Sequence, residues 1–169
     1  EAGRRSPRAG PPGKRRAVAA TAFVIDSQSV RSSEAGHGRS YDAGKKVNGR
    51  KRMTAVDVEG NLLAVQITGG AISETAAGID LLEELAEQFP DLRQVWCDQG
   101  FRRGFIERAA ELGITTTVIS RAPGTVGFHV LPRRWVVERF FAWISRARRL
   151  ARDFERLAST ALTMVQIAY

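Results

Sequence analysis

Three acidic residues stand where carboxylates can do chemistry. Asp26 ends an apolar run, Asp98 ends a second one, and Glu138 lies inside a predicted helix. In open α/β sheets the carboxyl ends of strands line one crevice, so aspartates that end neighbouring strands face the same site. Carboxylate oxygens suit Mg²⁺ or Mn²⁺, and two such ions can activate an attacking water or hydroxyl on a phosphodiester. The pattern predicts metal-dependent phosphoryl chemistry if the helix carries Glu138 across the crevice.

Each of these acids also has an ordinary structural explanation. Asp26 and Asp98 are followed by polar or glycine residues, as turn residues are. Glu138 lies four residues after Arg134, which is the spacing of a common helix salt bridge. A shared metal site of the three acids is therefore a hypothesis, and it depends on the topology of the chain.

The hydrophobic pattern predicts the strands that position the two aspartates. A buried strand is predicted at 21–26, and a polar, glycine-rich loop at 27–50. Two further runs, 53–58 and 62–68, flank the turn 59–61 and predict a hairpin. The segments 93–98 and 114–119 predict two more strands.

Apolar residues at helical spacing predict the intervening helices. One helix covers 79–89 and ends at Pro90, and another covers 105–112 and ends at Gly113. A long helix opens at Pro132 and keeps an apolar face as far as Leu150, and a last helix begins near Leu157. This order predicts an α/β fold, a ribonuclease-H-like mixed sheet flanked by helices.

Length and composition bound the class of protein. The chain has 169 residues, 43% of them hydrophobic, and its single cysteine excludes a disulfide framework and a cysteine-based zinc site. Its longest uncharged runs, 61–73 and 157–169, are shorter than the roughly 18 residues needed to span a bilayer. We expect one folded domain at 21–169.

Residues 1–20 form a basic segment rich in Pro, Gly and Arg, which predicts a disordered tail or linker. A signal peptide is disfavoured, because the apolar run after the basic residues 14–16 is short and ends at Asp26. The chain begins with Glu1 rather than Met, so we expect a fragment of a longer protein.

The net charge of +8 is unevenly distributed along the chain. Lys and Arg are concentrated in three segments, 1–16, 39–52 and 133–152. Such clusters favour a polyanionic partner such as nucleic acid, although a solvated basic face is the alternative.

Four segments carry a family resemblance: IDSQSV at 25–30, YDAGKKVNGRKR at 41–52, FPDLRQVWCDQGF at 89–101, and the long segment 128–157. They closely resemble the catalytic part of bacterial insertion-sequence transposases with a DDE triad, over roughly residues 24–169. The resemblance implies a ribonuclease-H-like fold and a triad of Asp26, Asp98 and Glu138. It also implies DNA strand cleavage and transfer at transposon ends, with Mg²⁺ or Mn²⁺ as cofactor. A catalytically inactive, truncated DNA-binding remnant is the alternative.

The resemblance also implies double-stranded DNA as partner, a possible homo-oligomer in the synaptic complex, and a location in the bacterial cytoplasm at the nucleoid. The basic residues expected beside DNA are Lys45, Lys46, Arg50, Lys51, Arg52, Arg133, Arg134, Arg146, Arg148 and Arg149. Related transposases carry a Tyr, Arg, Glu, Lys signature around the third acid. Arg134 fits the arginine of that signature, whereas Leu131 and Ser145 occupy the tyrosine and lysine positions.

Two further departures from the family pattern concern larger segments. The segment 71–78 lacks the usual Asp-Arg pair, and the helical DNA-binding region that normally precedes the first aspartate is replaced by the basic tail. We therefore expect a truncated or frame-split transposase.

The remaining conspicuous residues predict structural roles. His37 is expected in a solvated loop, His129 in the core, and Cys97 as a small buried strand residue. Four aromatic residues are expected to pack in the core, although one could instead stack on a displaced base: Trp135, Phe140, Phe141 and Trp143.

Overall fold

The computed structural model describes residues 20–120 and 133–169. Most of the predicted tail, from residue 1 to 19, lies outside the described residues, as do His129, Leu131 and the predicted helix start at Pro132.

One mixed sheet contains every named strand of the described chain. The strands are β1 (Ala22–Arg31), β2 (Ser40–Asp42), β3 (Val47–Asp57), β4 (Leu62–Gly69), β5 (Gln94–Cys97) and β6 (Thr115–Val118). The described helices are α1 (Glu74–Gln88), α2 (Arg103–Glu111), α3 (Arg134–Ile144), α4 (Arg148–Ala151) and α5 (Ala158–Ala168). None of these helices has the length and hydrophobicity to cross a lipid bilayer.

Strand β1 occupies the middle of the sheet. It pairs antiparallel with β3 on one side and parallel with β5 on the other, and β6 extends the parallel part. Both β2 and β4 pair with the outer edge of β3, β2 along 47–49 and β4 along 50–56. Because β1 and β5 run parallel with Val24 beside Trp96, the end of β5 lies beside the middle of β1.

Alternating side chains of β1 divide the core into two layers. Phe23 and Ile25 pack with α1 and α2 on one face, and Val24 packs with α3 and α5 on the other. Because neighbouring residues of a strand point to opposite faces, Asp26 shares the α3 face with Val24. The sheet therefore presents this carboxylate to the helix that carries Glu138.

The structure corrects the predicted ends of β1 and β3. Strand β1 continues past Asp26 to Arg31, and β3 begins at Val47, so the predicted loop 27–50 contains parts of three strands. Ser27 and Ser29 of β1 have side-chain partners: Ser27 Oγ donates to Glu74 Oε1 and Ser29 Oγ donates to Asp42 Oδ2, both at 2.6 Å. Gly49 permits the close pairing, because a Cβ there would overlap the carbonyl oxygen of Val30.

The prediction of one long helix as far as Leu150 is wrong. Helix α3 ends at Ile144, and the extended backbone of Ala147 separates it from α4. Ile144 and Leu150 are both buried in the same apolar layer. In a continuous helix, two residues six positions apart would lie on different faces. The break between α3 and α4 therefore allows both Ile144 and Leu150 to pack in the core. The structure confirms the other predicted elements, which are the hairpin, α1, α2, β5, β6 and α5.

Gly78 sets the distance between α1 and α2. A Cβ at this position would lie 2.5 Å from the Phe101 ring and 3.2 Å from the Phe105 ring, both of which are buried. Glycine at this position therefore allows α1 to pack closely against these two rings, although glycine has a low helix propensity.

We expect Gly78→Ala to lower the free energy of unfolding by about 1–3 kcal/mol, because overpacking exceeds the gain in helix propensity. Gly104→Ala is the matched control, since its Cβ would meet only Thr75 at 3.7 Å. Urea denaturation of both variants checks this. Equal or greater stability of Gly78→Ala would contradict the packing argument.

Candidate active site

The guanidinium of Arg134 lies among the three predicted acids. Its Nη2 is 3.4 Å from Asp26 Oδ2 and 3.4 Å from Asp98 Oδ2, and its Nε is 3.3 Å from Glu138 Oε1. The Nε contact is an ion pair without hydrogen-bond geometry, and this nitrogen has no hydrogen-bond acceptor among the described residues. The structure thus brings together carboxylates from β1, from the end of β5 and from α3.

Asp26 is the most deeply placed of the three acids. It lies in the middle of β1, is 5% exposed, and accepts the Ser27 backbone N–H at 2.7 Å on Oδ1. Burial raises the pKa of Asp26 to about 6, while Arg134 lowers it and the nearby Asp98 carboxylate raises it. The prediction that Asp26 ends its strand is wrong, because β1 continues to Arg31.

Asp98 and Glu138 reach the same place from different elements. Asp98 directly follows β5, and its Oδ1 accepts the Gly100 N–H at 2.8 Å, as in a tight turn. Glu138 lies one helical turn after Arg134 on α3, and its side chain is 47% exposed. The structure therefore contains the predicted helix salt bridge together with two further carboxylates on the same guanidinium.

The residues around Arg134 have the donor chemistry of a site for a hard divalent cation. All three acids offer oxygen, and the Oγ1 of Thr54, which pairs with Asp26 across the strands, is buried without a hydrogen-bond partner among the described residues. The guanidinium now lies between the carboxylates, and no group of three or more metal-ligating residues in 20–120 and 133–169 is arranged as a metal site. The three carboxylates supply the oxygen ligands that such a cation takes, and the Arg134 guanidinium occupies the space between them.

Cys97 and His37 have the predicted structural placements. Cys97 is buried in β5, where burial and the carboxylates of Asp98 and Asp26 raise the pKa of its thiol to about 12. It therefore remains a protonated, small apolar residue at neutral pH. His37 lies in an exposed loop, and its backbone carbonyl accepts hydrogen bonds from Arg50.

The basic run on β3 is buried, which corrects the expectation that it forms an exposed basic face. Arg50 is 1% exposed and donates to Asp153 Oδ2 at 2.9 Å and to several backbone carbonyls. Lys51 pairs with Asp42 Oδ2 at 3.4 Å, and Arg52 donates to Gln28 Oε1 at 3.0 Å. Burial lowers the pKa of Arg52 to about 10. These three side chains therefore bind partners within the protein and do not form a basic surface.

The other predicted basic residues are exposed to different extents. Lys45 is half-exposed, but its ammonium is 3.3 Å from Glu74 Oε1. Arg149 pairs with Glu155 at 2.6 Å. The exposed residues of this set also include Lys46, Arg133, Arg146 and Arg148.

The two tryptophans of α3 depart from the prediction of core packing. Phe140 and Phe141 are buried as predicted, whereas Trp135 is 41% and Trp143 is 50% exposed. The Arg139 guanidinium lies over both indole rings, at 4.5 and 5.0 Å from their centroids. These three residues follow each other at a spacing of four on one helix face.

Sequence reasoning missed Glu74 as a member of the site. It is the first residue of α1, and its carboxylate reaches Ser27 beside Asp26 and Gly100 beside Asp98. The sequence marks it only as an acid in the first turn of a helix, after the N-cap Ser73. Its neighbours are distant in the chain, so no local pattern indicates them.

The comparisons with known proteins agree with this architecture. The family model described as "Transposase DDE domain" matches residues 19–169. The crystal structure of the catalytic core domain of BIV integrase is similar with a TM-score of 0.54 at 15% identity, covering 88% of this chain and 80% of that one. No curated protein gives a significant match. The predicted ribonuclease-H-like fold is confirmed.

We expect Arg50→Ala to lower the free energy of unfolding by about 3–5 kcal/mol, because it leaves the buried Asp153 carboxylate without its partner. Arg103→Ala is the control, since it removes an exposed helix ion pair with Glu107. Chemical denaturation checks both variants. A small effect of Arg50→Ala would show that the buried charge of Asp153 is compensated by other groups.

The raised pKa of Asp26 predicts a pH-dependent stability. Between its ordinary value of 3.8 and about 6, the folded protein binds more protons than the unfolded chain, so stability falls as pH rises through this window. In metal-free buffer we expect Asp26→Asn to be more stable than the parent at pH 7, by on the order of 3 kcal/mol. The difference should vanish below pH 4 in denaturation series. A stability difference between Asp26→Asn and the parent that does not vary with pH would contradict the raised pKa of Asp26.

Proposed function

Because the chain belongs to the transposase DDE domain family, we propose that it cleaves DNA at transposon ends and transfers the freed 3′-hydroxyl to target DNA. The observation that best supports this proposal is the meeting of Asp26, Asp98 and Glu138 around one guanidinium. Three carboxylates around a single positive charge leave an excess of negative charge that a divalent cation would offset.

In this proposal Asp26, Asp98 and Glu138 would hold Mg²⁺ or Mn²⁺. Such ions, when bound, supply a more acidic attacking water and stabilise the leaving oxygen of the phosphodiester. The backbone N–H groups of Ser27 and Gly100 fix one oxygen of each aspartate, so the other oxygen is directed to the site. Arg134 holds the acids together in the present arrangement, and its guanidinium, displaced from them, would be free to pair with a DNA phosphate.

The DNA surface that we propose follows the exposed side of α3 and the residues after it. Arg133, Arg146 and Arg148 are exposed there and would neutralise phosphates. Trp135 and Trp143 are partly exposed on the same helix as Glu138, and Arg139 lies over both rings. Movement of Arg139 would allow these rings to stack on unpaired bases. Arg50, Lys51 and Arg52 are excluded because their side chains are buried. The proposal includes a homo-oligomer in the synaptic complex with DNA, located at the bacterial nucleoid.

We expect Glu138→Gln to abolish strand cleavage and strand transfer on a pre-cut transposon end with Mg²⁺ or Mn²⁺, because the amide lacks the charge that holds a cation. Duplex binding should persist. Glu107→Gln is the matched control, because Glu107 also pairs with an arginine four residues earlier in a helix. Product formation on a labelled end, beside a binding isotherm in Ca²⁺, measures both properties.

Cleavage by Glu138→Gln at the parent rate would contradict the assignment of this residue. A parent protein that binds correct ends but stays inert with both metals would identify the chain as the inactive DNA-binding form.

A further inference from the structure

Glu74 connects the two aspartates of the candidate site. Its Oε1 accepts the Ser27 hydroxyl at 2.6 Å, and Ser27 donates its own N–H to Asp26 Oδ1 at 2.7 Å. Its Oε2 lies against Gly100, which donates its N–H to Asp98 Oδ1 at 2.8 Å. One carboxylate therefore contacts both residues whose backbone groups orient the aspartates.

The α1 backbone and the Lys45 ammonium fix the position of Glu74. The α1 backbone places it after the N-cap Ser73, whose hydroxyl accepts the N–H of Ala76. The Lys45 ammonium lies 3.3 Å from Oε1 and also donates to the Ser27 carbonyl at 3.3 Å. The Glu74 side chain is 16% exposed, so solvent competes little with these contacts.

Gly100 shows how closely this carboxylate fits. A Cβ on Gly100 would overlap Glu74 Oε2 and would lie 3.0 Å from Asp98 Oδ1. A side chain at position 100 would therefore displace either Glu74 or the Asp98 carboxylate. The absence of a side chain lets the two acids share this small space.

We infer that Glu74 is a positioning residue, which acts through Ser27 and Gly100 to hold Asp26 and Asp98 in the orientation that binds a divalent cation. The inference rests on the proposed function, because it assigns Glu74 to the same site. Lys45 belongs to this arrangement, since its charge compensates the additional carboxylate beside the two aspartates. Glu74 touches neither substrate nor cation in this assignment.

The test measures Mn²⁺ affinity of the whole folded chain by electron paramagnetic resonance, below the unfolding temperature of every variant. We expect Glu74→Ala to weaken Mn²⁺ binding by about 10- to 100-fold, as loss of groups that orient metal ligands typically does. Glu74→Gln should retain part of the affinity, because its amide oxygen still accepts from Ser27. Glu83→Ala, on the same helix but paired with Arg108, is the control and should bind like the parent.

Gly100→Ala supplies a second, independent variant. It should weaken Mn²⁺ binding when Glu74 is present, and the same change in a Glu74→Ala background should cost less, because the overlap with Glu74 is gone. A Glu74→Ala variant with lowered melting temperature but parental Mn²⁺ affinity would overturn the inference and leave Glu74 a structural residue. Fully additive effects would also overturn it.

The Glu138→Gln variant separates this inference from the proposed function. If Glu138→Gln and the parent bind Mn²⁺ equally, the metal site itself is wrongly assigned. If Glu138→Gln loses affinity while Glu74→Ala retains it, only the positioning role fails.

Discussion

The need to compensate buried negative charge organises the centre of this protein. Asp26 is almost fully enclosed in the middle strand, and an isolated carboxylate there is costly. Arg134 offsets part of that cost, because α3 lies across the sheet where β5 ends beside the middle of β1. The same guanidinium also contacts Asp98 and Glu138, so the packing of α3 and the geometry of the candidate site depend on the same contacts. The apolar residues of α3, such as Val137 and Phe140, hold the helix in that place.

Most of the secondary structure could be predicted because apolar periodicity reports which face of each helix or strand is buried. The hairpin around Gly60 and the helix ended by Pro90 were predicted in this way. The second half of β1 could not be, because Ser27 and Ser29 are satisfied by Glu74 and Asp42, which are distant in the chain. Polar strand residues with remote partners have the same local composition as a loop.

The candidate site was predictable only in part, for a related reason. The two aspartates stood out because they follow apolar runs, and family resemblance joined Glu138 to them. Neither observation indicates that Arg134 lies between the three acids. The basic run on β3 resembled a surface cluster, since linear charge counts do not record burial. Arg50 is enclosed by Asp153 and by carbonyls from two loops, and no property of its neighbours in sequence distinguishes it from an exposed arginine.

The stacking of arginine on tryptophan affects the intrinsic fluorescence of the protein. The chain has three tryptophans, and each lies under an arginine near the helix that carries Glu138: Trp96 under Arg133, and Trp135 and Trp143 under Arg139. Any event that moves those guanidinium groups changes the surroundings of every indole in the chain at once. The intrinsic ultraviolet emission of the unlabelled protein is therefore a reporter of α3 and its surroundings, with no background from indoles elsewhere in the chain.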